Sequence, residues 1–574
     1  MAVIIGDRPT RVLSNRFAVW RAGLARRATA FRSQPEPRSI GLFARGRQLV
    51  AGNFLFAGKL VQAPNTALWD IAAPDAAFAA ELQGFVWLDD LAAVGDATAR
   101  RRAQDWTYGW IDRFGAGQGP GWTPDLTGRR LIRWINHAVL LLQGQDKARS
   151  DAYFRAVTVQ THFLARRWMR AAPGLPRFEA LTGLIVAGLA LEGKAALVKA
   201  AVAALARDCR GQIDAGGAIP TRNPEELLDV LTLLNWAVQA LQEAGREVPL
   251  DVSVAIGRIA PTLRALRHAD GGLARFHGGG RGIEGRLDAA LAASGVRGAA
   301  PPGLPAMGYV RLASGRSTVI LDAAAPPHGR AGGEAHASTL AFELTSGRRP
   351  LIASCGSGRP FGEDWALAGR ATASHSTLSI DGSSSSRLGK GSDDFAARAA
   401  VISLQQTADH NGQTVSAAQD GWRASHGLIH SRILTLDSHG RRLTGTDMVF
   451  VHAASDQKRL QALRAQRPEG VNVSIRFHLH PDVDARLDMG GNAVSMALKS
   501  GEIWVFRHDG VAQMTLDPSV YLEKGRLQPR ATRQIVLSAP VEGFELRIGW
   551  TLAKAQDTPL AIRDLDREDA SVPV

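Results

Sequence analysis

The hydrophobic period of this chain changes once, and that change limits the folds open to it. From about residue 76 to residue 293 apolar side chains recur every three or four positions, as at Phe178, Leu181, Leu184, Ile185 and Leu191. That is the spacing of helices with one buried face. Breaks at Pro120, Pro173, residues 211–220 and residues 245–249 divide the text into successive helices. A Gly- and Pro-rich connection, residues 278–305, ends it. Beyond that point the period is two, as in residues 317–321, 428–436 and 503–506, which suits half-buried strands. Helices first and strands afterwards predict a multidomain α+β chain, a stack of antiparallel helices followed by antiparallel sheets packed as a β-sandwich.

A length of 574 residues accommodates two or three domains, and we count two. Hydrophobic content of 45% and charged content of 21% exclude wholesale disorder. The formal charge of +14 comes mainly from arginine, whose planar guanidinium grips carboxylates and sulfates in two-pronged fashion. The balance suits a polyanionic partner, although GC-rich coding produces the same composition. Cys209 and Cys355 fall in different halves, so no disulfide framework or cysteine zinc knuckle is expected and a reducing compartment is permitted.

Residues 1–60 form a basic opening with Arg8, Arg11, Arg16, Arg21, Arg26, Arg27 and Arg32. It lacks the apolar core of about 7–15 residues that marks a secretory signal, which points to the cytoplasm. No stretch approaches about 18 uninterrupted apolar residues, so no transmembrane span is expected. Apolar and Arg positions mix at helical spacing from Leu13 to Phe31. Such a segment suits a leading helix packed on the fold, or one lying on a membrane surface or an acidic partner.

The run from residue 332 to residue 382 holds two histidines among alternating apolar residues, which predicts that His336 and His375 sit on a sheet. Glu334 and His336, two apart, would then share a face. The text Gly333-Glu334-Ala335-His336-Ala337-Ser338-Thr339-Leu340-Ala341-Phe342-Glu343-Leu344, followed by Ser374-His375-Ser376-Thr377, resembles the signature of the heparinase II/III-like polysaccharide lyases, G-H-x-H-A-D-x-L-S-F-E-L and A-H-N-T. Asp420-Gly421-Trp422, His430-Ser431-Arg432 and residues 476–481 extend the resemblance, as do Trp87-Leu88-Asp89-Asp90-Leu91 and residues 122–134 and 178–193 upstream. It covers most of the chain after about residue 50. It implies an (α/α) toroid of helical hairpins over residues 61–295 and an antiparallel β-sandwich over residues 305–574. It also implies β-elimination on a uronate-containing polysaccharide in the cleft between them, and a periplasmic or envelope location as the alternative to the cytoplasm.

β-Elimination requires that the sugar carboxylate be neutralised, the neighbouring proton removed and the leaving oxygen protonated. In the family resembled, a helical-domain Asn or His, a helical-domain Tyr and the first sandwich His share these tasks. Here the Asn-His pair reads Leu175-Pro176, Glu226 stands in the place of the Tyr, and Glu334 replaces the first His. The candidates that remain are Arg222 and Asn223 for the carboxylate at what reads as a helix start. Glu226 would be a general base, and Glu334 with His336 an acid/base pair. The plainer reading of Asn223-Pro224 is an N-cap followed by proline at the first helical position.

His277, before three glycines, reads as a substrate-facing residue on a mobile loop near the domain junction. Trp122 reads as a sugar platform or, with Trp106, Tyr108, Trp110, Trp134 and Trp168, as core. No cofactor is required by this chemistry. The resemblance implies that His336 and His375 could ligate zinc, with Ser354 where the family places an Asp and Cys355 beside it. No nucleic-acid module is recognisable, and the oligomeric state is left open. Two functions follow: cleavage of an acidic polysaccharide, or a non-catalytic carbohydrate-binding or envelope-assembly role on a lyase scaffold.

Overall fold

A computed structural model describes residues 9–299, 303–389, 394–467 and 469–559. Helices dominate up to Ala293 and strands from Tyr309 onward, in the order the period change predicts. Each predicted break lies between helices: residues 211–220, for example, separate Val198–Gln212 from Pro224–Glu243. Acidic residues cap several of these helices, as where Asp96 Oδ1 accepts from the Ala99 amide at 2.7 Å. One departure is a small hairpin, Asn53–Phe56 with Lys59–Gln62, inside the helical half.

The leading helix, Pro9–Gly23, packs Asn15, Ala18, Val19 and Ala22 inward, in contact with the helix Lys147–Arg167. Arg8 and the side chain of Arg11 lie outside the described residues.

Among the described residues the strands form one sheet of eight and two of four, apart from two-stranded hairpins, with antiparallel pairing throughout. Val319 and Leu344 from one four-stranded sheet, Ile475 and Phe477 from the other, and Leu434, Trp504 and Trp550 from the large sheet join a single apolar core. The helical core also crosses the junction, taking in Met307, Tyr309, Ile320 and Ala341 from the sheet side. Helices Glu363–Arg370 and Ala454–Gln466 interrupt a half predicted to be strands alone.

The two histidines of the run from residue 332 to residue 382 are not on strands. Gly329–Glu334 is a 3-10 turn, strand geometry begins only at Phe342, and His375 follows a second 3-10 turn, Thr372–Ser374. The reason is local: Arg370 donates to the carbonyls of Gly332 at 3.0 Å and Ala335 at 2.7 Å, and its own carbonyl accepts from the Ala337 amide. Those backbone groups are spent on a side chain and a loop, so no ladder forms there. The expected shared face of Glu334 and His336 therefore does not exist. The Glu334 side chain is 42% exposed and His336 is 2% exposed.

Candidate functional site

The chain leaves the loop before Pro224–Glu243 through Arg222, whose φ of 50° lies in the left-handed region. Asn223 then caps the helix, its Oδ1 accepting from the amides of Glu225 at 3.0 Å and Glu226 at 3.2 Å. That is the plainer of the two readings of Asn223, with its oxygen spent on the cap.

The left-handed step turns Arg222 away from the helix and into the sheet half. Its Nε donates to Met307 O at 3.1 Å, Nη1 to Ala325 O at 2.9 Å, and Nη2 to Gly308 O at 3.2 Å and Asp322 Oδ1 at 2.5 Å. The guanidinium lies over the Tyr309 ring, 4.7 Å from its centroid, and Tyr309 Oη donates back to Arg222 O. With the Arg222 side chain 11% exposed and Asp322 at 0%, this is a buried, hydrogen-bonded ion pair joining the two halves. Burial opposes its charge, but Asp322 and Tyr309 together outweigh that and raise the guanidinium pKa. A group so fully engaged cannot neutralise an incoming carboxylate without first breaking the pair.

His277 continues the junction. Its Nδ1 accepts from the His336 amide at 3.1 Å, so its proton belongs on Nε2, which faces Asp322 Oδ2 at 3.6 Å and Arg222 Nη1 at 3.2 Å. The backbone there is no mobile loop. A Cβ at Gly278 would stand 2.8 Å from Glu334 Cβ, and one at Gly279 2.6 Å from Asn223 Oδ1. Gly278 is a point at which the two halves press together, whereas Gly279 packs on Asn223 within the helical half.

Behind His277 stand the two predicted zinc ligands. The His336 ring lies 6.2 Å from that of His277 and 5.1 Å from that of His375. Ser354 Oγ hydrogen-bonds His375 Nδ1 at 3.0 Å. His336 Nδ1 and His375 Nε2 have no hydrogen-bond partner. Burial, with neighbouring positive charge, pushes all three imidazoles well below the ordinary histidine range, so they are neutral at neutral pH.

Two imidazoles do not make a zinc site, which needs three or four ligands. Cys355 does not complete it: its Sγ is 3.5 Å from His478 Nδ1, and burial holds the thiol up at about 11. Among the described residues no group of three or more His, Cys, Asp or Glu is placed to hold a metal ion.

The remaining candidates form a rim above this knot. Glu226 is half-buried, and desolvation raises its carboxyl to about 7. Glu225 accepts from the Gly280 amide at 2.9 Å and from Lys524 Nζ at 2.6 Å. Glu334 is paired with Arg359, yet burial still raises its pKa. Nothing in the sequence pointed to Lys524 or Arg359, each far from its partner along the chain. For Asp322 the usable signal was an acidic residue closing the apolar run Val319-Ile320-Leu321.

Trp122 is not a sugar platform. It is 3% exposed, donates Nε1–H to Phe114 O, and packs against Trp110 and Phe163. The other aromatics of its group, Trp106, Tyr108, Trp110, Trp134 and Trp168, are buried as well.

A cavity lined by His268, Arg275, Arg281, Glu343 and Tyr521 holds about 20 Å³, room for one water. A larger hollow of about 660 Å³ opens around the turn between Ser314 and Ser317, lined by Arg311, Arg316 and Arg348 with the hydroxyl residues Ser314, Ser317 and Thr318.

Comparison with known proteins places this architecture. Residues 296–551 match the family model described as heparinase II/III-like, C-terminal. Solved heparinase III superposes with a TM-score of 0.69 at 13% identity, over 95% of this chain and 90% of that one. A mutant of heparan sulfate lyase HepC from Pedobacter heparinus gives 0.59 at 13% identity, over 96% and 90%. At such identities these likenesses speak for the fold. FtsZ-localized protein C of Caulobacter vibrioides is 32% identical over 536 residues, 91% of this chain and 89% of the relative. With the signature run, the family model and a relative matched along nearly its whole length, the chain belongs to the heparinase II/III-like family.

Proposed function

We propose that this protein is a lyase scaffold put to a non-catalytic use, acting together with FtsZ assemblies, as the name of its Caulobacter relative suggests, and at the cell envelope, as the family resemblance implies. One observation carries the reading: the guanidinium best placed to receive a uronate carboxylate is sealed into a buried ion pair with Asp322. The imidazoles beyond it are neutral and dry, and no tyrosine stands where the family keeps its proton donor. In this reading the helices form a toroid and the sheets a sandwich, as the family resemblance implies. The arginine-lined hollow near residues 311–318 is where an acidic glycan would rest, gripped without being cut.

A second reading keeps the lyase chemistry and is favoured by Glu226, a carboxyl near 7 on the open rim, suited to moving a proton at neutral pH. The two readings separate cleanly. Purified protein is incubated with a panel of uronate polymers while absorbance of the unsaturated product is followed, and a fluorescent fusion is imaged in cells with and without FtsZ. The non-catalytic reading expects no product and FtsZ-dependent localisation. Turnover of any polymer, abolished by Glu226→Gln, would overturn it.

A further inference from the structure

The eight-stranded sheet ends in two unlike edges. On one side lies Asp484–Asp488, where Asp484, Arg486 and Asp488 alternate with Ala485 and Leu487. Charges along an edge discourage a second strand from pairing there, and so do prolines and short strands. The four-stranded sheets are guarded in these ways: Gln513–Tyr521 holds Asp517 and Pro518, Tyr309–Ser314 holds Arg311, Arg349–Ile352 holds Pro350, and Leu378–Ile380 is three residues long. The other edge of the large sheet, Val401–Asp409, lacks such a guard. Up to its closing Asp409 it contains no charge and no proline. It pairs with Gly412–Trp422 on one side, and among the described residues no strand pairs with its other side. A bulge falls between Val401 and Ser403, after which the register is regular as far as Asp409. Ser403, Gln405, Thr407, Ala408 and Asp409 are exposed, so the strand stands clear of the body. The sheet face beside it is uncharged as well: Thr407, Thr414, Thr435, Thr444 and Thr551 lie in one cross-strand row, and none of them is buried.

A long, regular edge of this kind is a row of backbone donors and acceptors ready to template another strand. Its own residues select which one. We propose that the edge pairs with the same edge of a second copy of this chain, antiparallel about a two-fold axis at Gln406, joining two sheets of eight into one. In that register Ser403 stands opposite Asp409, Leu404 opposite Ala408, Gln405 opposite Thr407, and Gln406 opposite itself. A hydroxyl meets a carboxylate, an apolar side chain meets an apolar one, and neutral amides meet neutral partners; like charges meet nowhere. An edge that complements itself in this way needs no other sequence as partner, and the contact closes as a symmetric dimer with no edge left over for a third copy. The regular ladder is short against the roughly 1,200–2,000 Å² of a stable interface, so the dimer forms in a concentration-dependent equilibrium. This inference is independent of whether the rim is catalytic.

The test is sedimentation velocity of the full chain over a series of concentrations. The expected result is a species of twice the monomer mass that grows with concentration. Gln405→Lys with Thr407→Lys sets lysine opposite lysine on both sides of the axis and is expected to raise the dissociation constant by about tenfold or more. Both positions are exposed, so an unchanged thermal unfolding curve shows that the fold survives. Gln406→Cys reads the register directly. Residues opposite one another in an antiparallel pair have Cα atoms about 4.5–5.5 Å apart, within disulfide reach, so this variant is expected to form a covalent dimer under mild oxidation. Cys209 and Cys355 are buried and do not compete. A chain that is monomeric at every concentration, a dimer indifferent to the lysine changes, or a dimer in which Gln406→Cys forms no disulfide would each overturn the proposal.

Discussion

The turn from Thr221 to Glu226 sends its side chains into two different worlds. Arg222 goes down into a floor shared with Asp322, His277, His336 and His375, where almost nothing meets water. Glu226, one helical turn on, stays on a rim with Glu225, Lys524, Glu334 and Arg359, all partly exposed. The difference teaches that catalytic-looking residue types can serve as joinery. An arginine near histidines and carboxylates reads as chemistry in one dimension, but in three the same groups satisfy one another and clamp two halves together.

This contrast can be broken experimentally. The largest effect is expected on the floor. Asp322→Ala strands a buried guanidinium and should cost about 3–5 kcal/mol in chemical denaturation. A loss under about 1 kcal/mol would mean that water reaches the floor and that Arg222 is free to bind.

A smaller, pH-dependent effect is expected at Glu226. In the fold its carboxyl titrates near 7, whereas unfolded it ionises near 4.5, so between those values the native state holds the extra proton. Stability attributable to this group therefore declines as pH rises from about 4.5 to 7. Glu226→Gln should flatten that slope in melts taken across the range; an unaltered slope would place Glu226 in open solvent.

The smallest effect belongs to the cross-junction pair of Lys524 and Glu225, with side chains 40% and 23% exposed. Lys524→Ala should shift stability by about 0–1 kcal/mol. A larger loss, read in the same denaturation experiment, would make the rim as structural as the floor.

Much of the fold was legible in the chain because it rests on local patterns. The change of period near residues 278–305, the helix breaks and the Asn223-Pro224 cap all have causes within a few residues of themselves. The site was less legible because its causes lie far away in sequence. Arg222 is fixed by Asp322, a hundred positions on, and the His336 segment is drawn out of strand geometry by the Arg370 side chain. Alternation alone could not report either capture. Trp122 misleads for a related reason: aromatic spacing is the same in a core as on a platform, and only burial tells them apart.

The glycines after His277 have one more implication. Where the helical half meets the sheet half at Gly278, an added methyl group would stand 2.8 Å from Glu334 Cβ, so the two walls touch across a gap that only a hydrogen fills. A side chain placed there by mutation would strain both halves at once, because the φ of 81° at Gly278 adds to the collision.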